Sequence, residues 1–196
     1  MNTVAVITTR SKSTRFPNKF KADICGKPML VRIVESARKS KIDRVVVATV
    51  LWDKPVIQLC QENDIDWFAG SEDDILGRIY WAAKASRATR VVRLWGDSPL
   101  IRAVDINFAL DYFKRIKPTY LSVFTLGGAI AVMSFRELKR LENTVSNLQD
   151  REWLHKYQST LGGAIRLDMG KPITIDTPED LEGVRELVRQ SSVSNR

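Results

Sequence analysis

A loop of basic and hydroxyl side chains follows the first strand that the sequence predicts. Residues 4–7 are apolar and rich in β-branched side chains, which indicates a short buried strand. The polar stretch that follows carries Arg10, Ser13, Arg15 and Lys19. Cations and hydroxyls grouped at the end of a strand can surround one polyanion, and a triphosphate is the obvious ligand. On spacing alone, a basic surface loop explains these residues equally well.

Two aspartates stand where later strands are predicted to end. Asp97 follows the apolar stretch 90–95 within the turn sequence Gly-Asp-Ser-Pro, and Asp176 follows the stretch 173–175. Thr177 precedes a proline and is a natural helix N-cap, so Asp176 is not needed for capping. One or two carboxylates with phosphate oxygens and waters form the usual Mg²⁺ site. The alternative for Asp97 is a turn-forming or helix-capping aspartate.

The elements that position these residues alternate along the chain. Apolar stretches predict strands at residues 4–7, 44–50, 65–68, 90–95, 120–126, 129–133, 164–167 and 173–175. Amphipathic patterns predict helices at residues 28–39, 53–62, 75–83, 104–115, 135–142, 150–157 and 178–189, the third of them capped by Ser71 and the acidic residues 72–74.

This alternation indicates an α/β protein, a three-layer α/β/α sandwich with a mostly parallel, mixed sheet. Ligands bind such sheets beyond the carboxyl ends of the strands. We therefore expect the loop 8–19, Gly96–Asp97 and Asp176 to lie near one another and to form the site.

Length and composition favour a single domain over residues 1–190, with a less regular region at 118–165 and a disordered tail at 191–196. A hydrophobic share of 44% is ordinary for a protein with a core. No apolar stretch approaches the ~20 residues that cross a bilayer, and no signal peptide is recognisable. Two cysteines are too few for a disulfide framework. These features predict a cytoplasmic protein with no membrane partner.

The net charge of +8 is concentrated near the N-terminus and indicates a polyanionic partner. Nucleic acid is not the expected one, because the sequence has no zinc-finger spacing, RNA-recognition signature or evident helix-turn-helix. His155 is the single histidine, which excludes a multi-histidine metal site and leaves little support for a Ser/His triad. Neither a Walker-type loop nor a dinucleotide-binding glycine motif follows the first strand.

Several segments in order resemble the cytidylyltransferases, which include the 3-deoxy-manno-octulosonate (Kdo) and acylneuraminate enzymes and the spore-coat-polysaccharide type. They are residues 7–19, 26–30, 45–49, 70–78, 93–100 and 175–181. The stretch Gly70-Ser-Glu-Asp-Asp74 is most similar to the spore-coat type. Because these motifs cover both ends of the chain, their combination is far more specific than any one of them.

The resemblance implies a GT-A-like nucleotidyltransferase fold, that of the nucleotide-diphospho-sugar transferases. It implies an enzyme that uses CTP and Mg²⁺ to attach CMP to a small sugar acceptor, an acidic one, in polysaccharide biosynthesis, with release of pyrophosphate. Catalytic roles are implied for Arg10, Arg15, Lys19 and Asp97. Nucleotide binding is implied for Thr8, Arg10, Ser13, Arg15, Lys19, Thr49, Ser71 and Arg78. Metal binding is implied for Asp97 and Asp176.

This chain departs from the family pattern at several positions. Asn18 replaces a glycine, Trp95 replaces a small polar residue, and Thr8-Thr9 replaces Pro-Ala or Gln-Ala. In the acceptor half, residues 127–133 lack an expected acidic residue, and residues 150–154 match an Arg-Glu-His segment only in part.

These departures leave alternatives open. One is the same fold with another NTP, or with a sugar-phosphate or phosphonate acceptor. Another is a non-catalytic protein that binds nucleotides or nucleic acid. Relatives often dimerise through the region that corresponds to 118–165, so a homodimer is one option for this chain.

Overall fold

Strands and helices alternate along the part of the chain that the computed structural model describes, residues 1–147, 151 and 162–193. The strands in this part are β1 (Thr3–Thr8), β2 (Arg44–Val50), β3 (Asp66–Gly70), β4 (Arg90–Trp95), β5 (Tyr120–Thr125), β6 (Gly128–Ser134) and β7 (Ala164–Asp168). The helices are α1 (Met29–Arg38), α2 (Lys54–Glu62), α3 (Ile75–Ala85), α4 (Ala103–Ile116), α5 (Phe135–Thr144) and α6 (Pro178–Val193), with a 3₁₀ turn at Lys19–Lys21. None of the described helices has the length and apolar content that a membrane crossing requires.

The described strands form one sheet in the order β3-β2-β1-β4-β6-β5-β7. All neighbouring pairs are parallel except the two made by β6, which runs antiparallel to β4 and β5. The predicted mixed, mostly parallel sheet is confirmed. β5 and β6 form a hairpin whose Gly127 leaves no room for a side chain, since a Cβ there would lie 2.4 Å from the Leu100 carbonyl oxygen.

Two apolar cores cover the faces of the sheet, which gives the predicted three layers. Alternate residues of β1 serve both cores: Ala5 and Ile7 pack with α1, α2, α4 and α6, and Val4 and Val6 pack with α3 and α5. A strand buried on both faces explains the uninterrupted apolar stretch at this point of the sequence.

One predicted strand was wrong, and one predicted helix cap was confirmed only in part. Residues 173–175 form no strand, because their amides serve two different loops: Ile173 donates to the Leu126 carbonyl and Ile175 donates to the Asp97 carbonyl. The N-cap of α3 is Asp74, whose carboxylate accepts from the Gly77 N–H, and Ser71 lies outside the cap. At α6 the predicted Thr177 cap is confirmed by its hydrogen bond from the Asp180 N–H.

Some predictions fall on residues outside the described part. These are most of the helix predicted at 150–157, His155, residues 194–196 of the predicted tail, and much of the second half of the 118–165 region. The first half of that region is regular and contains β5, β6 and α5. α6 continues to Val193, so the first three residues of the predicted disordered tail are helical.

Candidate active site

A cavity of about 540 Å³ lies at the carboxyl ends of β1 and β4, where an open α/β sheet binds its ligands. Most of the residues predicted for the site line it. They are Thr8, Arg10, Ser13, Arg15, Lys19, Arg78, Asp97 and Asp176. We call the loop 8–19 together with Asp97 and Asp176 the loop wall. We call the opposite side, formed by Glu72, Asp73, Ile75 and Arg78, the α3 wall.

The basic loop is held by hydrogen bonds at its base. The Asn18 N–H donates to the Ser11 carbonyl at 2.8 Å, and the Ser11 N–H donates to Oδ2 of Asp53 at 2.8 Å. Thr49 is fully buried and donates its hydroxyl to the same Asp53 oxygen at 2.9 Å. Thr49 therefore lies behind the loop and not in the cavity. Its hydroxyl contacts Asp53, the residue that anchors the loop.

The backbone conformation explains why Asn18 can stand at the position where the resemblance implies a glycine. Its φ of 59° and ψ of 23° place it in the left-handed region. Glycine enters that region freely, and asparagine is among the few other residues that tolerate it. The replacement preserves the turn that leads into Lys19.

Lys19 lies between the two predicted metal ligands. Its ammonium group donates to Oδ1 of Asp176 at 3.0 Å and to the Ile175 carbonyl at 2.7 Å, and it lies 3.8 Å from Oδ2 of Asp97. Arg15 adds a second cation at 3.0 Å from Oδ1 of Asp176. The segment at 173–175 brings Asp176 to this place through the bond between Ile175 and Asp97, without a strand.

The carboxylate of Asp97 is destabilised where it lies. Burial raises its pKa, and the negative charge of Asp176 raises it further, although the Lys19 ammonium and the Ser98 hydroxyl oppose the shift. A carboxylate in this position gains from any additional cation. The pair therefore has an electrostatic reason to bind a divalent ion.

Close approach of β1 and β4 depends on Gly96. Its N–H donates to the Thr8 carbonyl at 3.0 Å. A Cβ at Gly96 would lie 2.7 Å from that carbonyl oxygen and 2.8 Å from Cβ of Thr9. Glycine at this position lets Asp97 follow directly beside the end of β1.

The donor set has the composition that suits Mg²⁺. Asp97 and Asp176 supply hard carboxylate oxygens within reach of one ammonium group. In the part of the chain that the structure describes, no cluster of three or more histidine, cysteine or acidic residues has metal-binding geometry. Two protein carboxylates with phosphate oxygens and water are the usual ligands of Mg²⁺, whereas a closed protein cage is not required.

The α3 wall contains a buried cation with unused hydrogen-bond donors. Arg78 is only 4% exposed, and its Nε and Nη1 have no hydrogen-bond partner among the described residues. Burial lowers its pKa, and the nearby Arg10 lowers it further. Arg10 itself reaches across to Glu72 at 3.3 Å. Arg78 is thus ready to donate to a ligand that carries acceptor atoms.

Ser71 is the second predicted residue that does not line the cavity, since it is exposed next to the α3 wall. Thr9, Thr14 and Gly96 also line the cavity and belong to the segments predicted to form the site, whereas the lining residues Glu72, Asp73, Ile75, Arg93 and Trp95 were not predicted. Arg93 had a recognisable signal, because it is a charged residue between the apolar residues of a predicted strand. Its guanidinium carbon lies 4.3 Å from the centre of the Trp95 ring, which is within cation–π range.

Comparison with known sequences identifies relatives. A model of the cytidylyltransferase family matches residues 4–166. An uncharacterized protein of Methanocaldococcus jannaschii is 27% identical over 210 residues, which cover 100% of this chain and 86% of that protein. The 3-deoxy-manno-octulosonate cytidylyltransferase of Blochmanniella floridana is 31% identical over 142 residues, 66% of this chain and 54% of that enzyme. The enzyme of the same name from Neisseria meningitidis serogroup C is 45% identical over 105 residues, 50% and 40% of the two chains.

The chain thus matches about half or less of the length of these two named enzymes.

Solved structures agree on the fold. A cytidylyltransferase from Leptospira borgpetersenii superposes with a TM-score of 0.84 at 23% identity, over 98% of this chain and 96% of that one. A CMP:2-keto-3-deoxy-manno-octonic acid synthetase complexed with CTP gives a TM-score of 0.81 at 20% identity, over 97% and 100% of the two chains. At these identities the likeness shows a common fold.

Proposed function

The chain belongs to the cytidylyltransferase family, and from this premise we propose that it transfers CMP from CTP to a sugar acceptor with release of pyrophosphate. The observation that carries the proposal is the loop wall. Lys19 lies within 4 Å of both Asp97, which follows β4, and Asp176, which precedes α6, and Arg15 lies within 4 Å of Asp176. Cations for a triphosphate and ligands for a divalent ion occur there together.

The reaction needs charge stabilisation more than covalent chemistry. An acceptor oxygen forms a bond to the α-phosphorus as the bond to the pyrophosphate oxygen breaks, and negative charge builds on the phosphate oxygens. Fixed cations lower the energy of that charge without reorganisation of solvent. In our proposal Arg10, Arg15 and Lys19 hold the triphosphate, and Ser13 and Thr8 donate from the same loop.

Asp97 and Asp176 would hold Mg²⁺ in this scheme. When bound, the ion would add a positive charge beside the reacting phosphate and help to orient it. Lys19 also serves the carboxylate pair, since its ammonium group keeps both aspartates close before any ion arrives.

The nucleoside would lie toward the α3 wall. If the loop wall takes the phosphates, the remaining lining includes Ile75, Arg78 and the ring of Trp95, together with Glu72, Asp73, Arg93 and Gly96. Apolar and aromatic surface suits a base or a ribose, and the unused donors of Arg78 suit their acceptor atoms. Thr49 and Ser71 would then act, if at all, from outside the cavity.

An acidic sugar is the acceptor that we propose. The relatives named 3-deoxy-manno-octulosonate cytidylyltransferase support it. The test is a screen for pyrophosphate release from CTP and Mg²⁺ with Kdo, nonulosonic acids and neutral sugars as acceptors. We expect turnover with an acidic sugar only. Absence of both turnover and CTP binding across the screen would reject the function.

A second candidate keeps the fold and changes the nucleotide or acceptor. The replacements at Thr8, Thr9 and Trp95 favour it, since all three line the cavity. Thermal-shift measurements with CTP, UTP, GTP and ATP separate the two, because a ligand that binds the native state raises its melting temperature. The largest shift identifies the nucleotide, and the same screen with sugar phosphates and phosphonates tests the acceptor.

A further inference from the structure

An ion-pair network lies behind the α3 wall, outside the residues assigned above. Arg151 is the single described residue between 148 and 161, and its side chain is 9% exposed. Its Nε and Nη2 each donate to a different carboxylate oxygen of Asp74, both at 2.7 Å. Nη2 also donates to Oε2 of Glu142 at 2.6 Å. Nη1 donates to the carbonyls of Glu142 at 3.1 Å and Val145 at 2.7 Å. One guanidinium therefore joins the end of α5 to the residue before α3.

The same Asp74 carboxylate caps α3. Its Oδ1 accepts from the Gly77 N–H at 2.8 Å, and its backbone carbonyl accepts from the Arg78 N–H at 3.1 Å. A Cβ at Gly77 would lie 2.3 Å from Oδ2 of Asp74, so glycine is required for this geometry. The position of Asp74 consequently sets the first turn of α3. Its neighbours Asp73 and Ile75 line the cavity, and Arg78 follows one turn later.

The hydrogen bonds of Arg151 can hold Asp74, and with it the first turn of α3, in a fixed position. A guanidinium fork fixes both the distance and the orientation of a carboxylate, which an ammonium group cannot do. Burial of Asp74 opposes its ionisation, yet hydrogen bonds from Arg151 and the Gly77 N–H hold its pKa below the ordinary value. The helices touch again farther along, where the rings of Tyr80 and Phe135 stack at 5.6 Å. Loss of the fork would therefore act mainly on the first turn of α3.

We propose that Arg151 is a positioning residue for nucleotide recognition, which holds the first turn of α3 so that Arg78 and Ile75 meet the nucleoside. This inference rests on the proposed function, because it takes the nucleoside to lie against the α3 wall. Among the described residues, the loop wall makes no hydrogen bond or ion pair with Arg151, Asp74 or Glu142, and it contacts the α3 wall through the ion pair of Arg10 with Glu72. We therefore expect its contacts with the phosphates to depend little on Arg151.

The test is Arg151→Lys, which keeps the charge and loses the fork. Calorimetric titration with CTP should show binding on the order of tenfold weaker, because small displacements of positioned groups are costly. Binding of inorganic triphosphate, which lacks the nucleoside, should stay within about twofold of wild type, since the loop wall is unchanged. In turnover, KM for CTP should rise while kcat changes little.

The matched control is Arg140→Lys. Arg140 lies on α5, which Arg151 contacts, and like Arg151 it makes a fork, with Glu137, but its side chain is 49% exposed. We expect no change in either titration. Hydrogen exchange adds a readout that needs no ligand: in Arg151→Lys the amides of Gly77 and Arg78 should exchange faster, while that of Val92 in β4 should not.

The outcomes separate the possible failures. Unchanged CTP binding in Arg151→Lys would overturn the inference, and so would an equal loss of CTP and triphosphate binding with faster exchange throughout the protein. A wild-type protein that binds neither ligand would overturn the proposed function and the nucleotide role of Arg151 together. Exchange at Gly77 would then still show whether Arg151 restrains α3.

Discussion

The two walls of the cavity handle charge in different ways. In the loop wall the charges already face one another: Lys19 and Arg15 contact Asp176, and Lys19 lies close to Asp97. In the α3 wall the buried Arg78 keeps donors that no described residue uses. A wall whose charges are paired is organised before a ligand arrives. A wall with unused donors gains hydrogen bonds only when the ligand supplies acceptors. We infer that the first wall binds phosphates and the second selects among nucleosides.

The largest expected effect comes from the carboxylate pair. Asp97→Asn should lower the rate of pyrophosphate release roughly 10²–10³-fold, the loss typical of a group that stabilises transition-state charge. Asp111→Asn is the matched control on the surface of α4, where the carboxylate pairs with Lys41. Equal rates of pyrophosphate release for Asp97→Asn and wild type would show that Asp97 has no catalytic role.

The next largest effect is on ligand affinity, and it distinguishes the nucleoside contacts of the α3 wall from the phosphate contacts of the loop wall. Arg78→Met should weaken CTP binding about tenfold and leave inorganic triphosphate unchanged, because it removes hydrogen bonds to the nucleoside alone. Arg15→Met should weaken both ligands, because it removes a cation from the loop wall. Calorimetric titration measures all four affinities. If Arg78→Met lowered both affinities equally, the division of the walls would be wrong.

A smaller effect concerns the turn before Lys19. Asn18→Ala should lower the free energy of unfolding by about 1 kcal/mol, since the Cβ of alanine is sterically strained in the left-handed conformation. Asn18→Gly should leave it nearly unchanged, because glycine adopts the conformation freely. Urea denaturation measures both. Equal stability of the alanine and glycine variants would argue that the turn relaxes.

The smallest effect is a pH dependence of stability. The pKa of Asp97 is higher in the folded protein than in the unfolded chain. Its contribution to stability is therefore greatest below about pH 4 and decreases as the pH rises toward the folded pKa. Without ligands, the stability of Asp97→Asn relative to wild type should therefore increase as the pH rises across that interval. Denaturation at several pH values, without divalent ions, measures the difference, and a constant difference would contradict the shifted pKa.

The loop wall was largely predictable from sequence because its parts are local. A polar stretch after an apolar strand identifies Arg10, Arg15 and Lys19, and strand ends identify Asp97. Asp176 was found although its strand does not form, since the same apolar segment docks through the Ile175 N–H on Asp97. The sequence thus predicted the position of Asp176 but not the hydrogen bond that holds its segment there.

The α3 wall was less predictable because it depends on distant partners. Asp74 and Arg151 are 77 positions apart, and no spacing rule connects them. The serine at position 71 is a favourable cap by residue type, yet the turn places Asp74 there, with Gly77 opening the space. Thr49 lies in a strand next to the site, but its hydroxyl is bonded to Asp53 behind the loop. In each case tertiary contacts decided the role.

The most direct test is a crystal structure with CTP and Mg²⁺. We expect the phosphates on Arg10, Arg15 and Lys19, the ion between Asp97 and Asp176, and the nucleoside against Arg78. A triphosphate bound away from the loop, or an ion held by other residues, would contradict the assignment of the two walls.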